Sequence, residues 1–156
     1  MIPTARAVDT FLTRLQASAL EQLRGIPEAD LNDWRPQQAL GDVNTFFALA
    51  THLVGAGEYW VLHAAGGRPL DRDRPAEFRA RGDLPTLTAR YDRWLADSRE
   101  MLAALTEADL ARVPTLAAGN DRGWTVAECL MHGVEHTAIH VGHLQIQRQI
   151  WDAEHR

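Results

Sequence analysis

No lysine occurs among the 156 residues, so all 16 basic side chains are arginines. Schiff-base and lysine-activated chemistry are therefore excluded, and so is a Walker-type phosphate loop, which needs its lysine. A single cysteine, Cys129, rules out an internal disulfide and a cysteine-rich zinc framework. Serine is nearly absent as well. Neither Ser18 nor Ser98 lies in a G-x-S-x-G turn, so a serine hydrolase is not expected. No G-x-G-x-x-G marks a dinucleotide fold, and aspartates such as Asp71, Asp73 and Asp83 lack EF-hand spacing. A basic excess is also missing. The 16 basic residues face 21 acidic ones, a net charge of -5, which argues against a nucleic-acid partner. No run approaches the ~20 apolar residues that span a bilayer. Arg6, Asp9 and Arg14 interrupt residues 1–20, where the apolar part of a signal peptide would lie. The expectation is a cytoplasmic protein with no membrane partner.

The chain has globular composition, with 46% hydrophobic and 24% charged residues, which excludes global disorder. Its length suits one domain over residues 1–156, able to bury about two-thirds of its unfolded surface without a disulfide or metal. The apolar periodicity is helical throughout. Val8, Phe11, Leu12, Leu15, Ala19 and Leu23 recur at three- and four-residue spacings and predict a first helix over 4–24, stopped by Gly25 and Pro27. A second runs from about Thr45 to His63, ending at Gly66-Gly67, and a third covers 86–105. The fourth starts at the capping box Thr125-Val-Ala-Glu128 and continues to about Trp151. Nothing alternates with period two, so no strand is predicted.

Between the second and third helices, residues 66–83 read as a solvated loop in preference to a segment that gathers an anionic substrate. Five arginines, Arg68, Arg72, Arg74, Arg79 and Arg81, are interleaved there with Asp71, Asp73, Glu77 and Asp83. A short echo links GIPEADLNDWRP (25–36) with LTEADLARVPT (105–115), each between two long helices. It suggests two halves, first helix with second and third with fourth, in an all-α four-helix bundle.

Histidines carry the chemistry. Four of the seven, His132, His136, His140 and His143, fall within twelve residues of the fourth helix. At 100° per residue they share a sector of about 80°. Both His132/His136 and His136/His140 have the i, i+4 spacing that lets two imidazoles reach one ion, though all four span about 16 Å and cannot share it. A third ligand has to come from elsewhere, and His52, mid-way along the second helix among small alanines, is the candidate. Cys129 shares the histidine face but reads as a small buried residue. Trp60 is placed to flank the pocket, and the other tryptophans read as core or interface anchors.

The run Met131-His132-Gly-Val-Glu135-His136-Thr-Ala-Ile-His140-Val-Gly142-His143-Leu144 resembles the fourth-helix signature of the DinB/YfiT-like metalloenzyme superfamily. Ala50-Thr51-His52-Leu53-Val54 with Glu58-Tyr59-Trp60 resembles that family's second-helix motif. The resemblance implies an up-down-down-up bundle, commonly a homodimer, with Zn, Ni, Fe or Mn held by His52, His136 and His140. His143 stands where many members have Gln, and His132 is the rival ligand. Glu135, about 100° from the neighbouring ligand, reads as a surface or interface partner. The family link further implies thiol transfer or hydrolysis on a small electrophile in stress or detoxification, with a low-molecular-weight thiol as co-substrate. The competing expectation is a non-enzymatic, stress-associated bundle dimer with a structural or vacant site. Leu130, Val134 and Val141, opposite the histidines, are expected to meet a neighbouring helix or a second subunit.

Overall fold

Apolar residues at helical spacing form four long helices, and two short ones occupy the connections that echo each other. The computed structural model describes residues 1–37, 43–115 and 123–156. In chain order these are α1 (Pro3–Leu23), α2 (Glu28–Asp33), α3 (Phe46–Gly57), α4 (Arg74–Glu77), α5 (Leu84–Ala104), α6 (Glu107–Leu110) and α7 (Val126–Glu154). No strand occurs among the described residues. The fold is all-α, as the periodicity predicts.

Local chemistry explains where the helices start. Pro3 opens α1, where a missing N–H costs nothing. The Thr45 hydroxyl accepts the Ala48 N–H at 3.2 Å, and Asp83 accepts the Thr86 N–H at 2.8 Å, capping α3 and α5. Beyond Gly57 the α3 backbone continues to Ala65 as a wider π-helical stretch; the Gly66 N–H, for example, donates to the Val61 carbonyl at 3.1 Å.

The core follows from the packing order. Helix α1 lies against α5 and α7, and α3 with its π-helical continuation lies against α7 and α5. The two halves suggested by the echo do not form, because α1 packs on α7 and α5 rather than on α3. The echoing segments do share a local role, each becoming a short helix, α2 or α6, between long ones. Every residue of α3 is buried, so α3 is the central helix. Leu12 and Leu23 of α1, Phe46 and Leu53 of α3, Trp94 and Leu102 of α5, and Leu130 and Leu144 of α7 fill the space between the helices. Gly57 gives the Trp94 ring its seat; a Cβ at that position would overlap the indole. Phe11, expected on the apolar face of α1, is instead 51% exposed.

Opposite the histidines, Leu130 and Val141 are buried and Val134 packs against the core, so the chain's own helices cover that side of α7. A different strip is open: Met131, Ile139, Ile146 and Ile150 are all exposed. They lie within a sector of about 100°. Among the described residues, no helix is long and apolar enough to cross a membrane.

Candidate metal centre

Two helices bring the site together. The capping box at the start of α7 is complete: Glu128 accepts the Thr125 N–H at 2.7 Å, and the Thr125 hydroxyl accepts the Glu128 N–H at 3.3 Å. It fixes where α7 begins, and the histidine face then meets α3, where His52 is only 3% exposed.

There His52, His136 and His140 converge, each offering a ring nitrogen within 4.8 Å of the other two. Ring centroids are 5.2 Å apart for His52 and His136, 5.0 Å for His52 and His140, and 4.4 Å for His136 and His140. Two of the rings have one nitrogen in a hydrogen-bond contact. His52 Nδ1 lies 2.7 Å from Glu77 Oε2, which leaves its Nε2 for the cluster. His140 Nδ1 lies 3.3 Å from His143 Nδ1. His136 Nδ1 is buried with no hydrogen-bond partner in the protein. An orphaned buried polar atom of this kind costs about 1–3 kcal/mol unless something binds it. Three converging imidazoles with an unsatisfied nitrogen fit a divalent ion.

The family model of the DinB superfamily matches residues 11–144. The chain belongs to the DinB superfamily. None of the curated proteins matches it.

Electrostatics in this DinB-superfamily chain keep the cluster neutral. Burial comes first in lowering the His136 pKa to about 3, assisted by His140, His52 and His132. Burial likewise leads in lowering His140 to about 4, with His52, His143 and Arg74 adding to it. His52 is lowered mainly by burial, against the opposing pull of Glu77. Neutral imidazoles at pH 7 are ready to donate lone pairs.

The other candidates fall outside the cluster. His132 sits between Trp60 and Trp124, its ring 5.9 Å from that of His136, with Glu135 at 3.2 Å from its Nδ1. His143 stands behind His140 as its ring partner. His63 binds the Arg68 carbonyl at 2.7 Å. Cys129 is fully buried and its thiol pKa is pushed up by burial, so it is a core residue rather than a nucleophile. Among the described residues no acidic side chain joins the three histidines.

One wall of the cluster opens into a cavity of about 450 Å³ lined by His52, Ala56, Tyr59, Trp60, Arg72, Arg74, His132 and His136. Trp60 flanks it, as expected. The arginines are a correction. Segment 66–83 is not simply a solvated loop, because it contributes Arg72 and Arg74 to the cavity and buries Glu77, which is 6% exposed. The segment is tied in place by α2. Asn32 Nδ2 donates to the Gly82 carbonyl and its Oδ1 accepts the Gly82 N–H, both at 2.9 Å.

Glu77 is the residue beside the cluster that the charge pattern concealed. Its carboxylate accepts Arg72 Nε at 2.6 Å and Arg72 Nη2 at 2.9 Å while also binding His52. Gly55 makes room for it, since a Cβ there would overlap the carboxylate. A signal did exist in the sequence. Asp73-Arg-Pro75 is a helix start, with Asp73 accepting the Ala76 N–H at 3.0 Å and proline in the first turn.

Proposed function

We propose that this chain is a divalent-metal-dependent enzyme whose metal is held by His52, His136 and His140, with the fourth side left open to substrate. The observation that carries this reading is the convergence of three neutral imidazoles, two of which, His52 and His136, line a cavity, with a carboxylate orienting one of them. Imidazole suits Zn, Ni, Cu and Fe alike, so the donor set does not choose among them. When bound, a divalent ion retaining its full charge would lower the pKa of a water or thiol and polarise a carbonyl.

The chain's own residues do the rest. Glu77 holds the His52 ring in one orientation through Nδ1, and Arg72 in turn holds Glu77. His143 does the same for His140. Trp60 and Tyr59, with ring centroids 5.0 Å apart and edge to face, give the cavity an apolar wall that limits water. The reaction we propose is transfer of a low-molecular-weight thiol to a small electrophile, or hydrolysis of such a molecule, as part of detoxification or stress response in the cytoplasm. We also propose a homodimer, supported by the open strip Met131, Ile139, Ile146 and Ile150 on α7.

An open cavity beside the cluster favours the enzyme over a purely structural site, which closes its shell with a fourth protein ligand. The test is a screen of metal-loaded protein with small thiols against alkylating electrophiles and activated esters. Turnover above background that disappears in His136→Ala is expected; equal rates in the two proteins would refute the assignment.

A further inference from the structure

We propose that the cavity takes a small organic oxyanion, its charged group placed by Arg74 and its apolar part lying against Trp60 and Tyr59. This rests on the proposed function for the neighbouring metal, and it names the class of molecule that site receives.

The argument begins with a charge count. The cavity lining contains two arginines and no acidic side chain. Arg72 is already engaged, because both its Nε and Nη2 donate to Glu77. Of the acidic groups nearest in sequence, Asp73 accepts the Ala76 N–H, Glu58 pairs with Arg90 at 2.7 Å and Glu135 faces His132, and neither these nor Asp71 lines the cavity. Arg74 differs. Among the described residues it makes no ion pair, and its guanidinium lies over the Phe78 ring, 5.2 Å from the centroid. Phe78 packs in turn on His52 with ring centroids 4.5 Å apart. That stack sets a positive, donor-rich group beside the histidine cluster at the mouth of the cavity.

Guanidinium recognises planar or tetrahedral oxyanions through paired N–H donors, and such charge-assisted bonds are about twice as strong as neutral ones. With Glu77 offsetting Arg72, Arg74 is the charged group of the lining that has no ion-pair partner among the described residues, and a divalent metal would add to its positive field. A neutral ligand gains nothing from that field, whereas an anion does. The two aromatic rings supply the apolar surface for the remainder of the molecule.

The test is calorimetric binding of benzoate, phenyl phosphate and neutral benzamide to the full chain, with zinc loaded and with zinc removed. It compares wild type, Arg74→Gln, and Arg79→Gln as a control at an exposed arginine outside the cavity. Benzoate or phenyl phosphate should bind wild type and Arg79→Gln alike, and bind Arg74→Gln about tenfold more weakly with zinc content unchanged. The stronger of the two anions tells carboxylate from phosphate. Benzamide should be weak throughout. Equal affinity for anion and amide, equal anion affinity in wild type and Arg74→Gln, or no anion binding to wild type overturns the proposal. Failure of the metal reading is seen separately, as absent zinc. The loss in Arg74→Gln would then still appear in the zinc-free arm.

Discussion

Glu77 joins three groups that would otherwise act independently: Arg72, His52 and, through the space left by Gly55, the central helix. A carboxylate behind a ligating histidine fixes the ring and raises its basicity, and losing such a partner typically lowers metal affinity about 10–100-fold. Glu77→Gln should therefore weaken zinc binding by about that factor in a competition titration with a chromogenic chelator; unchanged affinity would mean the carboxylate has no part in the site. The ring nitrogens make a second prediction at this scale. Burial holds His136 and His140 down to about 3 and 4 in the folded protein, against the ordinary histidine value of 6.5. Because their folded pKa values are depressed, their contribution is present above about pH 6.5 and is lost as pH falls towards 4, where the unfolded chain binds protons and the folded one does not. The metal-free protein should show a urea midpoint that drops between pH 7 and pH 5. His136→Gln should flatten that drop, and a midpoint independent of pH in wild type would contradict the neutral cluster.

Among the elements, α7 matters most, because its register puts three of the seven histidines at or behind the site and its capping box sets that register. Thr125→Ala should lose about 1 kcal/mol of stability in urea unfolding through loss of the cap. An undiminished midpoint would show that tertiary packing alone fixes the helix start. This element was also the easiest to read from sequence, since Thr125-Val-Ala-Glu128 followed by histidines at four-residue spacing encodes both the start and the functional face locally. The second helix was legible for a similar reason, although nothing in its residue spacing announced that its last turns widen into a π-helix. Segment 66–83 was the opposite case. Its alternating charges look the same whether they face water or each other, and Glu77 turns inward only because Gly55, on a different element, leaves room. Pairing of the long helices was also hidden, since the EADL echo records two similar short helices and not which long helices touch.

For the whole molecule, two faces of α7 have different fates. One is buried in the chain's own core, and the strip carrying Ile139 and Ile146 is open to a partner. If that partner is a second copy, sedimentation at micromolar concentration should show a dimer, and Ile146→Glu should shift it to monomer without loss of helicity; a wild-type monomer would remove the proposal. The central claim is that His52, His136 and His140 form one binding site for a divalent ion. It is tested most directly by elemental analysis of protein purified without a histidine tag, as wild type and as His136→Ala. Near-stoichiometric Zn, Ni, Fe or Mn in wild type, absent from the variant, is the predicted result. Wild-type protein that holds no metal after incubation with each of these ions, or a variant that holds as much as wild type, would contradict it.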